Sequence, residues 1–201
     1  MKRSLLYGAL GLWLVSVLGA FGMVWKYKTA PGATGVAPTS WPRESKIVPA
    51  SDKANLVMFT HPQCPCTRAS MSELAQLAVQ LGDHVQIHVV LVRPEGVDQG
   101  FEEGTIADRA AAIKGARVVV DDRGVEAERF GAKTSGASLL YTRDGRLAFS
   151  GGLTTARGHE GHGPAQERIV QVVKGDAKVP FQTAPTFGCE LEEPKTASVQ
   201  K

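Results

Sequence analysis

Between positions 55 and 174 the hydrophobic pattern switches repeatedly between short continuous runs and helical spacing, which limits the fold more than any other feature. Residues 55–60 (NLVMFT) form an apolar run of the length of a buried strand. Over 65–81, Met71, Leu74, Leu77, Ala78 and Leu81 recur at helical spacing, and Gly82 stands where a helix ends. Residues 85–92 (VQIHVVLV) predict a second strand. A helix is expected over 105–114, with Thr105 and Asp108 at capping-box spacing and Gly115 as its stop. A third strand over 117–120 and a short helix over 125–130 follow, the latter ended by Gly131. Residues 138–142 and 147–150 flank Asp144 and Gly145, the strongest hairpin signal in the chain. A last helix covers 164–174, with Pro164 in its first turn and Gly175 at its end. Strands that alternate with helices pair in parallel, and the hairpin adds an antiparallel edge. The expected class is α/β, a central mixed sheet flanked by helices, over residues 46–178.

Residues 5–25 form an uncharged run bracketed by Lys2 and Arg3 before it and by Lys26 and Lys28 after it. At about 1.5 Å per residue it spans roughly 30 Å, the thickness of bilayer hydrocarbon. A secretory signal usually has an apolar region of about 7–15 residues, shorter than this one. No clean small-x-small cleavage site precedes the charged flank, so an uncleaved transmembrane anchor is expected. The α-amine, Lys2 and Arg3 outweigh Lys26 and Lys28, which keeps residues 1–4 cytoplasmic. The rest of the chain then lies on the extracytoplasmic, periplasmic side of an inner or cytoplasmic membrane, where disulfides persist. Residues 26–45, rich in Pro, Gly, Ala and Thr beyond Thr29, read as a linker, and 179–201 as a polar tail carrying Cys189. Lys and Arg are scattered and the net charge is only +3, which does not suit nucleic acid.

Chemistry concentrates at residues 59–68 (FTHPQCPCTR), between a predicted strand and a predicted helix. Pro65 suits a first helical position, so Cys64 is expected as the N-cap. Its sulfur then faces unpaired backbone N–H groups and the positive end of the helix dipole, both of which favour the thiolate. Arg68 and a protonated His61 would add to that effect. Cys64 and Cys66 have one residue between them, and a disulfide at that spacing needs a tight, strained turn. Pairing of either with Cys189, or a metal held by the thiols with His61, are the open alternatives. Three cysteines are too few for a disulfide scaffold, and the odd count leaves one thiol to explain.

A proline-containing cysteine pair between a strand and a long helix resembles the active site of the thioredoxin superfamily. The extra helix and strand over 105–120 resemble its TlpA/ResA branch, as does the cadence of residues 118–152. The anchor, the Cys-Pro-Cys stretch, the Arg157–Gly161 loop residues RGHEG and the Phe187-Gly188-Cys189 tail are similar to the membrane-anchored group called RedB. The resemblance implies a thioredoxin-like fold and generic thiol redox chemistry. Aligned on Phe59, Cys64 takes the nucleophile's place and Thr67 the place of the second cysteine. The stretch facing the cysteines, where that family carries a proline, reads Ser135-Gly136-Ala137-Ser138.

Residues 151–163 (GGLTTARGHEGHG) connect the hairpin to the last helix, on the rim that carries the cysteines in that fold. His159 and His162 are candidate acid–base groups or metal ligands, with Glu160 to orient one of them; a flexible polar loop is the plainer reading. His84 and His88 are expected in ordinary surface or core roles, and Asp121 and Asp122 at a turn. The expected function is thiol:disulfide exchange by Cys64, Cys66 and Cys189 with protein thiols or disulfides as partners and no cofactor. The alternative is a metal-binding assembly factor of copper-chaperone type on the same fold.

Overall fold

The computed structural model describes residues 2–175 and 180–192 and divides the chain into two compact units, 1–30 and 31–201. Met1, residues 176–178 of the expected domain, and 179 and 193–201 of the expected tail lie outside the described residues.

The first unit is one helix, α1 (Lys2–Thr29). Its stretch Leu6–Thr29 has a mean hydropathy of 1.8 and is long and apolar enough to cross a membrane. The Ser16 hydroxyl donates to the Leu12 carbonyl four residues back, which satisfies a polar group inside the apolar run. The helix runs four residues beyond Trp25 because no breaker intervenes before Pro31. Lys26 and Lys28 fall in its last turn, where a cation meets the negative end of the helix dipole.

The second unit has the thioredoxin-like fold. Its elements are β1 (Ala54–Thr60), α2 (Thr67–Leu81), β2 (Val85–Arg93), α3 (Thr105–Ala112), β3 (Arg117–Asp122), α4 (Val125–Arg129), β4 (Ala137–Tyr141), β5 (Leu147–Gly151), α5 (Pro164–Val173) and β6 (Gln182–Thr183). They form one six-stranded sheet in the order β3-β2-β1-β4-β5-β6. β1, β2 and β3 are parallel, β4 runs antiparallel to β1, β5 antiparallel to β4, and β6 parallel to β5. Central β1 is buried on both faces, as a continuous apolar run requires. Leu56 and Met58 face a core built with Met71, Leu74 and Leu77 of α2 and Ile169 of α5. Val57 and Phe59 face the opposite core with Phe130, Leu139 and Tyr141.

Residues 31–47 differ from the linker expected through 45. This segment packs on the domain as a strap: Leu147 N–H donates to the Thr39 carbonyl at 2.8 Å and Trp41 N–H to the Gly145 carbonyl at 3.0 Å. The Trp41 ring meets Phe130 and Tyr141 edge-on, with centroids 5.2 and 5.1 Å apart. Such pairs contribute about 0.5–1.5 kcal/mol each beyond the area they bury. At Gly35 a side chain would stand 1.8 Å from the Gly131 carbonyl oxygen, so only glycine lets the strap lie this close. Its extended backbone has no hydrophobic period to read, and its composition resembles that of a linker.

Two smaller expectations shift. The N-cap of α3 is Gly104, with no side-chain cap, so Thr105 and Asp108 form no capping box. Asp121 is buried one residue before the end of β3, and its carboxylate accepts from the Glu126 and Ala127 N–H groups at 2.9 and 2.8 Å, fixing the start of α4. Burial pushes this carboxyl up, against the pull of those two N–H donors. His88 is a core residue; burial, then the nearby Arg117 charge, hold its pKa near about 4.

Candidate active site

Cys64 leaves the carboxyl end of β1 in a tight turn. Its N–H donates to the His61 carbonyl at 3.0 Å, and Thr67 N–H donates to the Cys64 carbonyl at 3.2 Å. That second bond closes a turn over Pro65 and delays the helix. Cys66, not Cys64, is therefore the N-cap of α2, with no side-chain cap of its own. Cys64 nevertheless faces the first helical N–H, because Thr67 donates to its sulfur through both backbone and hydroxyl. The Thr67 hydroxyl also lies 2.6 Å from Ser135 Oγ, which accepts the His61 N–H at 2.7 Å. Ser135 thus ties together the two segments that flank the cysteine.

The tail brings Cys189 to this point. Its Sγ lies 2.8 Å from Cys64 Sγ, and its N–H points at the same sulfur at 3.3 Å. Ser135 N–H donates to the Cys189 carbonyl at 2.8 Å and Leu191 N–H to the Lys133 carbonyl at 2.9 Å. Thr134 and Glu190 form an antiparallel bridge, so this part of the tail pairs as a short strand with the segment before β4. Phe187 and Leu191 are buried on either side of the cysteine.

Cys64 is 2% exposed. Burial on its own pushes the thiol up, but the hydrogen bonds from Cys189 and Thr67 outweigh it and hold the thiol below its ordinary value. The Cys66 thiol is pushed up, first by burial and then by negative charge on Cys64; the Arg157 guanidinium opposes both. Of Cys64 and Cys66, Cys64 is therefore the more readily ionised. All three cysteines are thiols in this structure.

The other expected residues go elsewhere. His61 is buried, and its Nδ1 accepts from the Gln63 N–H at 3.3 Å. Its ring meets Phe101 edge-on at 5.4 Å. Arg68 turns its guanidinium to the Pro65 carbonyl. Glu160 accepts from Ser72, and His162 stands 3.7 Å from Glu167; His159 is exposed. No group of three His, Cys, Asp or Glu side chains placed to hold a metal forms among the described residues. From this loop it is Arg157 that reaches the site, donating to the Gly188 carbonyl and standing beside Cys66. Sequence reasoning named Arg157 in its loop and Ser135 in the stretch facing the cysteines but gave neither a role, since one cation in a polar loop and one serine carry no signal of their own.

No family model matches the chain, and no curated protein matches it. Among solved structures, a hypothetical protein from Sinorhizobium meliloti 1021 is 21% identical with a TM-score of 0.58, over 84% of this chain and 98% of that one. An uncharacterized conserved protein from Geobacillus kaustophilus is 19% identical with a TM-score of 0.58, over 84% and 95%. A secreted Mycobacterium tuberculosis disulfide oxidoreductase is 19% identical with a TM-score of 0.42, over 61% and 81%. The first two share this chain's fold over most of its length.

Proposed function

We propose that this thioredoxin-like domain is a membrane-anchored thiol:disulfide oxidoreductase in which Cys64 is the nucleophile and Cys189 the resolving thiol. The observation that carries the reading is the 2.8 Å approach of two sulfurs 125 residues apart in sequence. The Cys64 thiolate attacks one sulfur of a partner disulfide, forms a mixed disulfide and expels the partner's other sulfur as a thiolate. Cys189, deprotonated, then attacks the Cys64 sulfur. A Cys64–Cys189 disulfide forms and the second partner sulfur leaves as a thiolate. Two electrons pass from the Cys64–Cys189 dithiol to the partner, which takes up two protons as its thiols form. An external dithiol returns the pair to its starting state by the same steps in reverse. Cys66, whose thiol is pushed up by burial and then by the Cys64 charge, stands beside the reacting sulfur and is the reserve resolving group.

Oxidation followed by peptide mapping tests the pairing. A Cys64–Cys189 cross-link is expected. If Cys189 stays alkylatable in the oxidised protein while Cys64 and Cys66 are blocked, the pair lies within the Cys-Pro-Cys turn and Cys189 is not the resolver.

The anchor belongs to the same reading. α1 would hold the domain at a cytoplasmic membrane with residues beyond Lys28 on the extracytoplasmic side, among protein thiols and disulfides. Protein isolated from membranes should keep Met1 and resist carbonate washing. An N-terminus near Ala30 would show a cleaved leader instead.

A further inference from the structure

The site as it stands is closed to any partner. Exchange needs the attacking, central and leaving sulfurs nearly in line, so a partner disulfide must reach Cys64 Sγ directly. Cys64 as a residue is 2% exposed. Cys189 lies against it through both its Sγ and its N–H.

The covering segment is seated like a strand, not draped as a loose end. Ser135 and Leu191 supply its two backbone bonds to the 133–135 segment, and Thr134 bridges Glu190. Phe187 is 6% exposed and Leu191 1% exposed. At Gly188 a side chain would stand 2.0 Å from the Ser135 carbonyl oxygen, so the backbones touch there. Arg157 donates to the Gly188 carbonyl. Just upstream, Gly32 N–H donates to the Thr186 carbonyl at 2.8 Å, which ties the tail to the strap. Among the described residues, two backbone bonds join this strand to the 133–135 segment, and a ladder that short opens at much lower cost than the central sheet.

We infer that the Phe187–Leu191 segment is an internal plug that occupies the partner's seat over Cys64, and that it lifts before Cys64 reacts with anything outside the chain. This rests on the exchange reading above. The same segment then has two duties. Lowered, it delivers the resolving thiol and shields the nucleophile from adventitious oxidants; raised, it exposes Cys64 and a vacant edge at Lys133–Ser135. Reactivity is set by the opening equilibrium as well as by thiolate content.

The test uses the full chain carrying Cys189→Ser, which removes the internal disulfide but keeps the tail. Cys64 alkylation by iodoacetamide is followed by peptide mass spectrometry, with and without Gly188→Val. The valine meets Ser135 backbone, so the plug must shift, and at least a tenfold faster alkylation is expected, with mixed-disulfide formation rising in parallel. An unchanged rate in a folded Gly188→Val chain overturns the plug. So does a Cys64 in the Cys189→Ser chain that already reacts as fast as in urea.

Amide hydrogen exchange on the wild-type chain covers the case in which the valine variant misfolds. Ser135 and Leu191 should exchange together and at least tenfold faster than the amides of β1. If they exchange only with β1, the segment does not lift by itself and the inference fails. Exchange activity that survives Cys64→Ser would instead sink the functional reading, and leaves these access measurements to be judged alone.

Discussion

Cys64→Ser should abolish thiol:disulfide exchange, with turnover of a protein disulfide falling by at least a thousandfold. Neither remaining cysteine can replace it. Cys66 is the member whose thiol is pushed up, by burial and by its neighbour's charge. Cys189 reaches the site as the partner of Cys64, on the segment that the Ser135 and Leu191 bonds seat over it. The same geometry predicts a pH signature. The hydrogen bonds from Cys189 and Thr67 outweigh burial, so thiolate absorbance of Cys64 should develop at lower pH than that of an ordinary thiol. Thr67→Val removes the hydroxyl donor and should move that midpoint up while the fold persists. A midpoint at the ordinary value in the wild type, with exchange kept in Cys64→Ser, would count decisively against Cys64 as the nucleophile.

Cys189→Ser should convert a transient intermediate into a lasting one. With the resolver gone, the mixed disulfide between Cys64 and a partner has no fast internal exit, and its lifetime should lengthen by about a hundredfold. Non-reducing gels after acid quenching would show trapped complexes that vanish in the Cys64→Ser, Cys189→Ser double variant. The size follows from proximity: a thiol in contact with the target sulfur acts at an effective concentration far above that of thiols in solution. Cys66 limits the gain, since it also neighbours Cys64; adding Cys66→Ser should lengthen the lifetime further. If Cys189→Ser turns over normally and traps nothing, the Cys-Pro-Cys turn resolves its own mixed disulfides.

Much of the fold was legible because it rests on local periodicity. The run 55–60 is buried on both faces in β1, and the spacing of Met71, Leu74 and Leu77 sets the inward face of α2. Asp144 and Gly145 mark the hairpin because Gly145 adopts a φ of +79°, which glycine tolerates at no steric cost. The site was legible in part. Two cysteines around a proline, between strand and helix, point to a reactive thiol whatever the rest of the chain does. The helix start moved by two residues because the Thr67-to-Cys64 backbone bond is a turn property that spacing does not reveal.

Other features depend on partners distant in sequence. The strap at 31–47 and the tail at 182–191 are held by backbone hydrogen bonds and a few buried anchors, and neither has a repeating pattern. Composition makes both look like solvated chain. Sequence by itself determined the apolar N-terminal helix, the alternating strands and helices, and the identity of the candidate nucleophile, since each follows from hydrophobic period or from residues a few positions apart. Only the tertiary structure decided that Cys189 meets Cys64, that Arg157 and not His159 or His162 reaches the site from its loop, and that the tail closes over the thiol. Those contacts join segments as much as 125 residues apart, and nothing local to either end selects the other. They come from the folded sheet, which places the end of β1, the segment before β4 and the tail within hydrogen-bond reach of one another.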